Sequence, residues 1–159
     1  MKDYIFGYAS LVAAPAAARA VLRDHRRVWG VAMDNTVEVP GYKAYALPDW
    51  SRPALAVAFL DLEEADGAEV EGALLAVDAA GLAALDMRER QYERVDVTAR
   101  IDPSPDGIVW TYLGRAPGRA RVAAGRAGTT GIAIQRSYVE LVESAFAAWG
   151  EDALARYRA

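Results

Sequence analysis

The fold of this chain is indicated first by residues 4–11, Tyr4-Ile5-Phe6-Gly7-Tyr8-Ala9-Ser10-Leu11. Its apolar, β-prone first half breaks abruptly into small residues, which is typical of a strand that ends in a tight loop. Ala9 and Ser10 are small enough to let main-chain N–H groups approach a ligand closely. We therefore predict that the first strand delivers this loop to one side of an active site.

The 159 residues fit a single domain, residues 1–159, with a substantial core. Hydrophobic residues make up 53% and charged residues 25% of the chain, and the formal net charge of -4 gives no reason to expect a nucleic-acid partner. Because cysteine is absent, disulfides, a catalytic thiolate and cysteine-rich zinc sites are excluded. The start MKDYIF lacks the features of a signal peptide, and no long uninterrupted apolar run follows. We expect a soluble, cytoplasmic protein without membrane partners.

The first half of the chain contains several candidate strands. The alanine-rich segment from Ala16 to Leu22 predicts a short helix, and Val28 to Met33 predicts a strand. Ala54 to Leu62 has large apolar residues on one face and only alanines on the other, which predicts a strand packed on both sides. An acidic turn then leads to a further strand, Val70 to Val77. Tyr42 to Leu47 is a weaker candidate strand.

Helical patterns become frequent only in the second half. Asp78 is a suitable N-cap for a helix that reaches about Arg90, and Tyr92 to Ile101 alternates as a strand with one wet face. Gly114 to Gly131 has no periodicity and is interpreted as a loop, whereas the segment from about Gln135 to Gly150 predicts an amphipathic helix. Strands and helices do not alternate regularly. We therefore predict an α+β fold, a small mixed and mostly antiparallel β-barrel with flanking helices.

One carboxylate falls on the apolar stripe of the predicted helix after Asp78. Leu82, Leu85 and Glu89 are spaced by three and four residues, so they share one face. A carboxyl group drawn towards apolar surroundings is suited to take and return protons near neutral pH. The alternative is that Glu89 turns to water at the helix end and pairs with Arg88, Arg90 or Arg94.

Several motifs in the correct order resemble the γ-glutamylcyclotransferase-like family, which includes AIG2-like proteins and γ-glutamylamine cyclotransferases. Phe6 to Leu11 resembles the family's Tyr-Gly-Ser loop, and Gly72 to Val77, followed by Leu82, Leu85, Asp86 and Glu89, resembles its second signature. Three tyrosines match tyrosines of the family: Tyr92, Tyr112 and Tyr138. The resemblance spans most of the chain.

This resemblance implies an enzyme that converts a γ-glutamyl amide, such as those of glutathione metabolism, into 5-oxoproline and a free amine. It implies that Glu89 is the general acid and base of the reaction. The substrate would be bound by the loop residues Tyr8, Ala9, Ser10 and Leu11 and by the tyrosines Tyr92, Tyr112 and Tyr138. In the family's reaction the substrate's own α-amine is the nucleophile, so the enzyme needs none of its own. We expect no cofactor and no metal, because one histidine and scattered carboxylates offer no cluster of metal ligands.

One residue departs from the family pattern. Ala9 stands where the family loop usually has glycine, and its Cβ disfavours a positive φ by roughly 1–2 kcal/mol. Activity would be reduced or altered if the loop requires a positive φ there, and an alanine at a negative φ would be harmless.

Other functions compete with the cyclotransferase hypothesis. A catalytically silent module that binds a small carboxylate or a protein partner is the principal alternative. A Ser10 nucleophile is disfavoured because the single histidine, His25, is predicted to lie on the surface. The arginines between Gly114 and Gly131 suggest either a solvated loop or a lid in which Arg115 and Arg119 contact the substrate's leaving group. A nucleic-acid-binding role for that segment lacks interleaved aromatic residues.

Overall fold

The computed structural model of the chain describes residues 2–15, 17–39, 42 and 44–159. Within these residues, seven strands and four α-helices are formed. The strands are β1 (Lys2–Gly7), β2 (Ala18–Asp34), β3 (Leu55–Val77), β4 (Tyr92–Asp96), β5 (Ile101–Asp102), β6 (Gly107–Gly114) and β7 (Gly131–Ala133). The helices are α1 (Ala79–Arg88), α2 (Ala116–Arg126), α3 (Arg136–Ala147) and α4 (Glu151–Arg158). None of the helices in the described part of the chain is long and apolar enough to cross a membrane.

All seven strands belong to one mixed sheet that curls into a half-barrel. The strand order is β4-β6-β1-β3-β2-β5. Strand β7 pairs with the start of β3, whereas β1 pairs with its end. The β1–β6 and β3–β7 pairs are parallel, and the remaining pairs are antiparallel. The predicted α+β class, with a mostly antiparallel, strongly curved sheet and flanking helices, is confirmed.

Two long strands, β2 and β3, lie next to each other in the sheet and pair along most of their length. They pair from Ala18 opposite Leu74 to Asp34 opposite Ala56. The helix predicted from Ala16 to Leu22 is therefore wrong from Ala18 onwards, and Ala16 lies outside the described residues. Helix propensity favours alanine by only a few tenths of a kcal/mol per residue, so pairing with β3 and burial of Leu22 override it.

The acidic segment predicted as a turn between two strands is instead a distortion within the single strand β3. The register of the β2–β3 pair shifts between Arg23 and His25, where Asp24 has a φ of 58° and Gly67, on the facing strand, a φ of 72°. The N–H of Gly67 donates to the Asp24 carboxylate at 3.0 Å. A bulge of this kind bends both strands without separating them. The prediction that His25 lies on the surface is also wrong, because its side chain is buried beside this bulge.

The helices cover different parts of the sheet. Helices α3 and α4 border the largest core cluster, which contains Phe6 and Phe146. Helix α1 adds Leu82 and Leu85 to a second cluster around Phe59 and Tyr92. Helix α2 packs Val122 against Ala32, Ala56 and Ala58, which confirms that the alanine face of β3 is buried under a closely packed element.

Helix α2 corrects the interpretation of Gly114 to Gly131 as a loop without regular structure. Pro117 lies in its first turn, where its fixed φ and missing N–H are tolerated. Gly118 is required for close approach, because an added Cβ would lie 2.4 Å from a methyl carbon of Val31. The glycines that obscured the helical pattern thus allow the helix to approach the sheet.

A buried carboxylate fixes helix α2 to the sheet. Asp61, which is 1% exposed, accepts hydrogen bonds from the main-chain N–H groups of Leu62 and Gly114, both at 2.8 Å. Its second oxygen pairs with Arg119 at 3.0 Å, and Arg119 also donates to the carbonyl of Leu62 at 3.1 Å. The charge of Asp61 is thereby compensated on both oxygens.

We expect Asp61→Ala to lower the free energy of unfolding by about 2–4 kcal/mol, because it leaves two buried N–H groups and one guanidinium without their acceptor. The matched control is Asp66→Ala, which removes an exposed carboxylate and should change the free energy by less than about 0.5 kcal/mol. Urea denaturation followed by circular dichroism measures both. Equal, small effects would contradict the assignment of Asp61 as a structural anchor.

Candidate active site

The predicted loop after β1 folds back over the end of its own strand. Residues Ser10–Ala13 form a short 3-10 turn, and an added Cβ on Gly7 would lie 2.4 Å from the Cβ of Leu11. Glycine is therefore needed at this close approach. Among the described residues, no hydrogen-bond acceptor is found for the main-chain N–H groups of Ala9, Ser10 and Leu11. These donors are available to an anionic group of a ligand.

Ala9 has a φ of -133°, which lies outside the left-handed region that favours glycine. The positive-φ penalty considered for this position does not arise. Alanine in place of the family's glycine therefore adds one methyl group without requiring a left-handed backbone.

The loop is held from below by Arg27, a residue that was not among those predicted from the sequence. Its guanidinium donates to the carbonyl of Tyr8 at 2.8 Å and to the carbonyl of Glu71 at 2.7 Å. It also lies 4.9 Å and 5.0 Å from the ring centres of Phe146 and Tyr157. Burial lowers the pKa of Arg27 to about 10, so the group stays charged at neutral pH. In the sequence, Arg27 is indistinguishable from the exposed arginines beside it.

A cavity of about 240 Å³ opens above this loop. It is lined by the loop, the end of α1, the strands β1, β3, β4 and β6, Tyr42 and the start of α3. The lining residues are Phe6, Gly7, Tyr8, Ala9, Ser10, Leu11, Tyr42, Phe59, Leu60, Arg88, Glu89, Tyr92, Tyr112, Gln135, Tyr138 and Leu141. Every site residue predicted from the sequence is in this set, so the structure brings all of them together.

Glu89 occupies the C-cap position of α1, one turn beyond Leu85. Its side chain is 17% exposed and faces the cavity. One carboxylate oxygen pairs with Arg88 at 2.6 Å, and the other accepts a hydrogen bond from Tyr42 at 3.1 Å. The two interpretations of Glu89 are thus compatible, because the residue pairs with a neighbouring arginine and still faces an apolar cavity. Its oxygens keep further lone pairs for a ligand.

Tyr42 is a second site residue that was not predicted, since the sequence pattern suggested only that it begins a short strand. Residues 44–47 are not in a strand, and Lys43 lies outside the described residues. The Tyr42 ring packs edge-on against Phe59 at 5.4 Å. Burial, followed by the nearby carboxylate of Glu89, raises the pKa of Tyr42, so its hydroxyl remains a donor to Glu89 at neutral pH. The local sequence gives no sign that Tyr42 contacts Glu89, which lies 47 residues further along the chain.

Three of the predicted tyrosines form the walls of the cavity with hydroxyl groups that bind the protein itself. Tyr8 donates to the carbonyl of Tyr112 at 2.7 Å, and Tyr92 donates to the carbonyl of Leu60 at 3.1 Å. Tyr112 donates to Asp86 at 2.7 Å. Burial is the main cause that raises the pKa of all three hydroxyls. These rings therefore supply shape and low polarity.

The start of α3 contributes the opposite wall. Tyr138 packs edge-on against Phe59 at 5.1 Å and against Trp29 at 5.9 Å, and burial raises its pKa. Gln135, the N-cap residue of α3, places its side-chain oxygen in the interior, where the described residues offer it no hydrogen-bond partner. Gln135 was not predicted as a site residue either.

The arginines of the 114–131 segment do not line the cavity, so the structure does not support the alternative in which Arg115 and Arg119 form a lid. Arg115 donates to the carbonyl of Tyr92 at 2.9 Å, and Arg119 pairs with Asp61. Both side chains thus hold α2 against the sheet. Within the described part of the chain, no group of three or more histidine, aspartate or glutamate side chains is arranged to hold a metal ion.

The fold and this cavity can now be compared with known proteins. The model of the family described as γ-glutamyl cyclotransferase, AIG2-like, matches residues 5–127. The chain therefore belongs to this family. The match includes the loop with Tyr8, the residue Glu89 and the cavity tyrosines Tyr42, Tyr92 and Tyr112, and it ends before Gln135 and Tyr138. No protein of curated function matches the sequence.

Several solved structures share the fold at low sequence identity. A γ-glutamyl cyclotransferase is 12% identical with a TM-score of 0.59, and the alignment covers 100% of this chain and 88% of that one. An uncharacterized protein from Homo sapiens is 13% identical with a TM-score of 0.59, with coverage of 99% and 87%. YkqA from Bacillus subtilis is 17% identical with a TM-score of 0.55, with coverage of 99% and 53%. At such identities the likeness shows the fold alone.

We expect Arg27→Met to destabilise the protein by about 2–4 kcal/mol, because two buried carbonyls lose a charged donor. The adjacent Arg26→Met is the matched control: Arg26 is exposed and pairs with Glu63, so its loss should cost less than about 1 kcal/mol. Thermal and urea denaturation measure both variants. Faster hydrogen exchange in Arg27→Met at the amides of Val12 and Ala14, which donate to the carbonyls of Ala9 and Leu11, would locate the loss at the loop. Unchanged exchange there would contradict the anchoring role.

Proposed function

We propose that this protein is a γ-glutamylcyclotransferase that converts a γ-glutamyl amide into 5-oxoproline with release of the amine. The observation that supports this most directly is the position of Glu89. Its carboxylate lines the same largely aromatic cavity as the turn after β1, whose main-chain N–H groups have no acceptor among the described residues. Membership of the γ-glutamyl cyclotransferase, AIG2-like, family supports the same reaction.

The turn after β1 is the proposed site for the substrate's α-carboxylate. The N–H groups of Ala9, Ser10 and Leu11 point to no acceptor within the described residues, and oriented N–H groups of successive residues bind anions well. Anchoring one end of a flexible γ-glutamyl chain favours the folded conformation in which the α-amine lies close to the γ-carbonyl. Restricting the chain in this way lowers the entropic part of the barrier.

Glu89 is the proposed proton carrier. It accepts a proton from the α-ammonium group, and the resulting amine attacks the γ-carbonyl carbon to form the new C–N bond of the ring. Glu89 then delivers this proton to the departing nitrogen as the original C–N bond breaks, takes the second proton from the α-nitrogen of the new ring, and passes it to the released amine. Two protons leave the α-nitrogen in total, and the same two convert the departing nitrogen into an ammonium group. A single carboxylate that serves both nitrogens satisfies this balance.

Arg88 and Tyr42 orient the proposed carrier. Arg88 is charged and half-exposed, and it binds one oxygen of Glu89 from the solvent side. Tyr42 binds the other oxygen from the buried side and stays protonated at neutral pH. With the rotation of the carboxyl group restricted from both sides, its free lone pairs are held towards the cavity. A fixed base loses less entropy when the reaction geometry forms.

We expect Glu89→Gln to abolish most 5-oxoproline release from γ-glutamyl-alanine, glutathione or ε-(γ-glutamyl)-lysine, with a fall of at least about a hundredfold in kcat. The change keeps shape and polarity and removes the proton carrier. The matched control is Glu93→Gln on the exposed face of β4, which should retain full activity. Product release that survives Glu89→Gln would assign the reaction to another residue.

Tyr42→Phe should lower kcat/KM roughly tenfold, because Glu89 loses one charge-assisted hydrogen bond while the ring packing on Phe59 is preserved. The matched control is Tyr45→Phe, since Tyr45 is 44% exposed and uses only main-chain groups to bind Asn35. Steady-state kinetics with the best of the three substrates measures both variants. An unchanged kcat/KM in Tyr42→Phe would exclude Tyr42 from the reacting site.

A catalytically silent binding module is the alternative that one observation favours. Both carboxylate oxygens of Glu89 already bind protein groups, one Arg88 and the other Tyr42, as in a carboxylate with a purely structural role. Such a module would bind a small amino acid derivative at the same turn and leave it intact. Calorimetry that detects binding of γ-glutamyl-alanine, together with no 5-oxoproline from any of the three substrates, would support this alternative.

A further inference from the structure

The side chain of Gln135 has no role in the proposed proton transfer. Its amide oxygen is buried and has no hydrogen-bond partner among the described residues, and the residue lines the cavity. Buried acceptors are almost always paired in folded proteins, because an unpaired one costs about 1–3 kcal/mol. An unpaired acceptor on a residue that lines a binding cavity is explained if a ligand supplies the donor.

Within the described part of the chain, Gln135 forms hydrogen bonds through its main chain only. Its carbonyl accepts hydrogen bonds from the N–H groups of Tyr138 and Val139 at 3.1 and 3.2 Å, which starts helix α3. Its side chain makes no capping hydrogen bond, although a side chain at the N-cap commonly binds the first turn. The amide is therefore free of a helix-capping role while its Cα position is fixed.

The polar lining of the cavity limits what the donor can be. Tyr8, Tyr92 and Tyr112 use their hydroxyls as donors to the protein, and the turn after β1 presents N–H groups. Among the described lining residues, Glu89 and Gln135 are the two whose side chains carry a carboxylate or amide oxygen. A γ-glutamyl amide carries two kinds of nitrogen donor, the α-ammonium group and the single N–H of the scissile amide.

We propose that the side-chain oxygen of Gln135 accepts a hydrogen bond from the α-ammonium group of a γ-glutamyl ligand and thereby selects ligands that carry this group. The proposal rests on the proposed γ-glutamyl specificity of the cavity. An ammonium group has three N–H donors, and a single contact with Glu89 would leave two of them without acceptors between aromatic walls. A hydrogen bond to a charged donor is also about twice as strong as one to a neutral amide.

The test compares two ligands that differ only in this group. γ-Glutamyl-alanine carries the α-ammonium group, and glutaryl-alanine is the same molecule without it. Affinities come from calorimetry, and KM comes from 5-oxoproline release where it occurs. We expect wild-type protein to bind γ-glutamyl-alanine more tightly. Gln135→Leu should lower the affinity for γ-glutamyl-alanine between about tenfold and a hundredfold. It should leave the affinity for glutaryl-alanine nearly unchanged.

Two further variants sharpen this test. Gln135→Glu keeps an oxygen acceptor and should retain γ-glutamyl-alanine binding, whereas it would abolish binding if the amide nitrogen of Gln135 donated to a substrate carboxylate. Gln91→Leu is the matched control, because Gln91 is the chain's other glutamine and lies outside the cavity lining. It should bind both ligands as the wild type does. Unchanged glutaryl-alanine binding also shows that each variant is folded.

The outcomes separate this inference from the proposed reaction. Equal weakening of both ligands by Gln135→Leu, loss of γ-glutamyl-alanine binding in Gln135→Glu, or no effect of either change would overturn the role of Gln135 and leave the reaction standing. Binding with the expected pattern but without 5-oxoproline would overturn the reaction and support the role of Gln135. Failure of wild-type protein to bind either ligand would overturn both.

Discussion

The antiparallel pairing of β2 with β3 is the constraint on which the rest of the structure depends. These two strands run the length of the sheet, and β3 also carries β1 and β7 as neighbours. The bulge at Asp24 and Gly67 lets both strands bend while they remain paired, so the sheet can curl around the side chains of its inner face. The end of β1, and with it the turn at Tyr8 to Leu11, takes its position from this ladder.

Two buried charges connect the ladder to the elements that complete the site. Asp61 on β3 holds α2 through Arg119 and the N–H of Gly114, and Arg27 on β2 holds the turn through the carbonyl of Tyr8. In each case the partner supplies directional hydrogen bonds that an apolar side chain could not replace. Burial of a charge is costly unless it is compensated, so these contacts act strongly against any alternative placement of the turn or the helix.

The environment of Glu89 is formed by groups that lie both near it and far from it in the sequence. Helix α1 brings the residue to the cavity, Arg88 neutralises one oxygen, and Tyr42 reaches the other from a distant segment. The carboxylate is thus fixed in direction and still partly accessible, which are the properties required of a group that exchanges protons with a ligand. The aromatic walls add low polarity, because the hydroxyls of Tyr8, Tyr92 and Tyr112 bind the protein and not the cavity.

The sequence by itself determined the features that depend on local pattern. These are the strand and turn from Tyr4 to Leu11, the helix capped by Asp78 with Glu89 on its apolar stripe, the alanine face of β3 and the α+β class. Only the tertiary structure decided the features that depend on distant partners. Ala18 to Leu22 is a strand because β3 pairs with it, and α2 packs on the sheet because Gly118 allows contact with Val31. Arg27, Tyr42 and Gln135 belong to the site through contacts with residues far away in the sequence, which no local periodicity can predict. The physical reason is that propensity contributes tenths of a kcal/mol per residue, whereas a buried hydrogen bond or ladder position contributes about 1 kcal/mol or more.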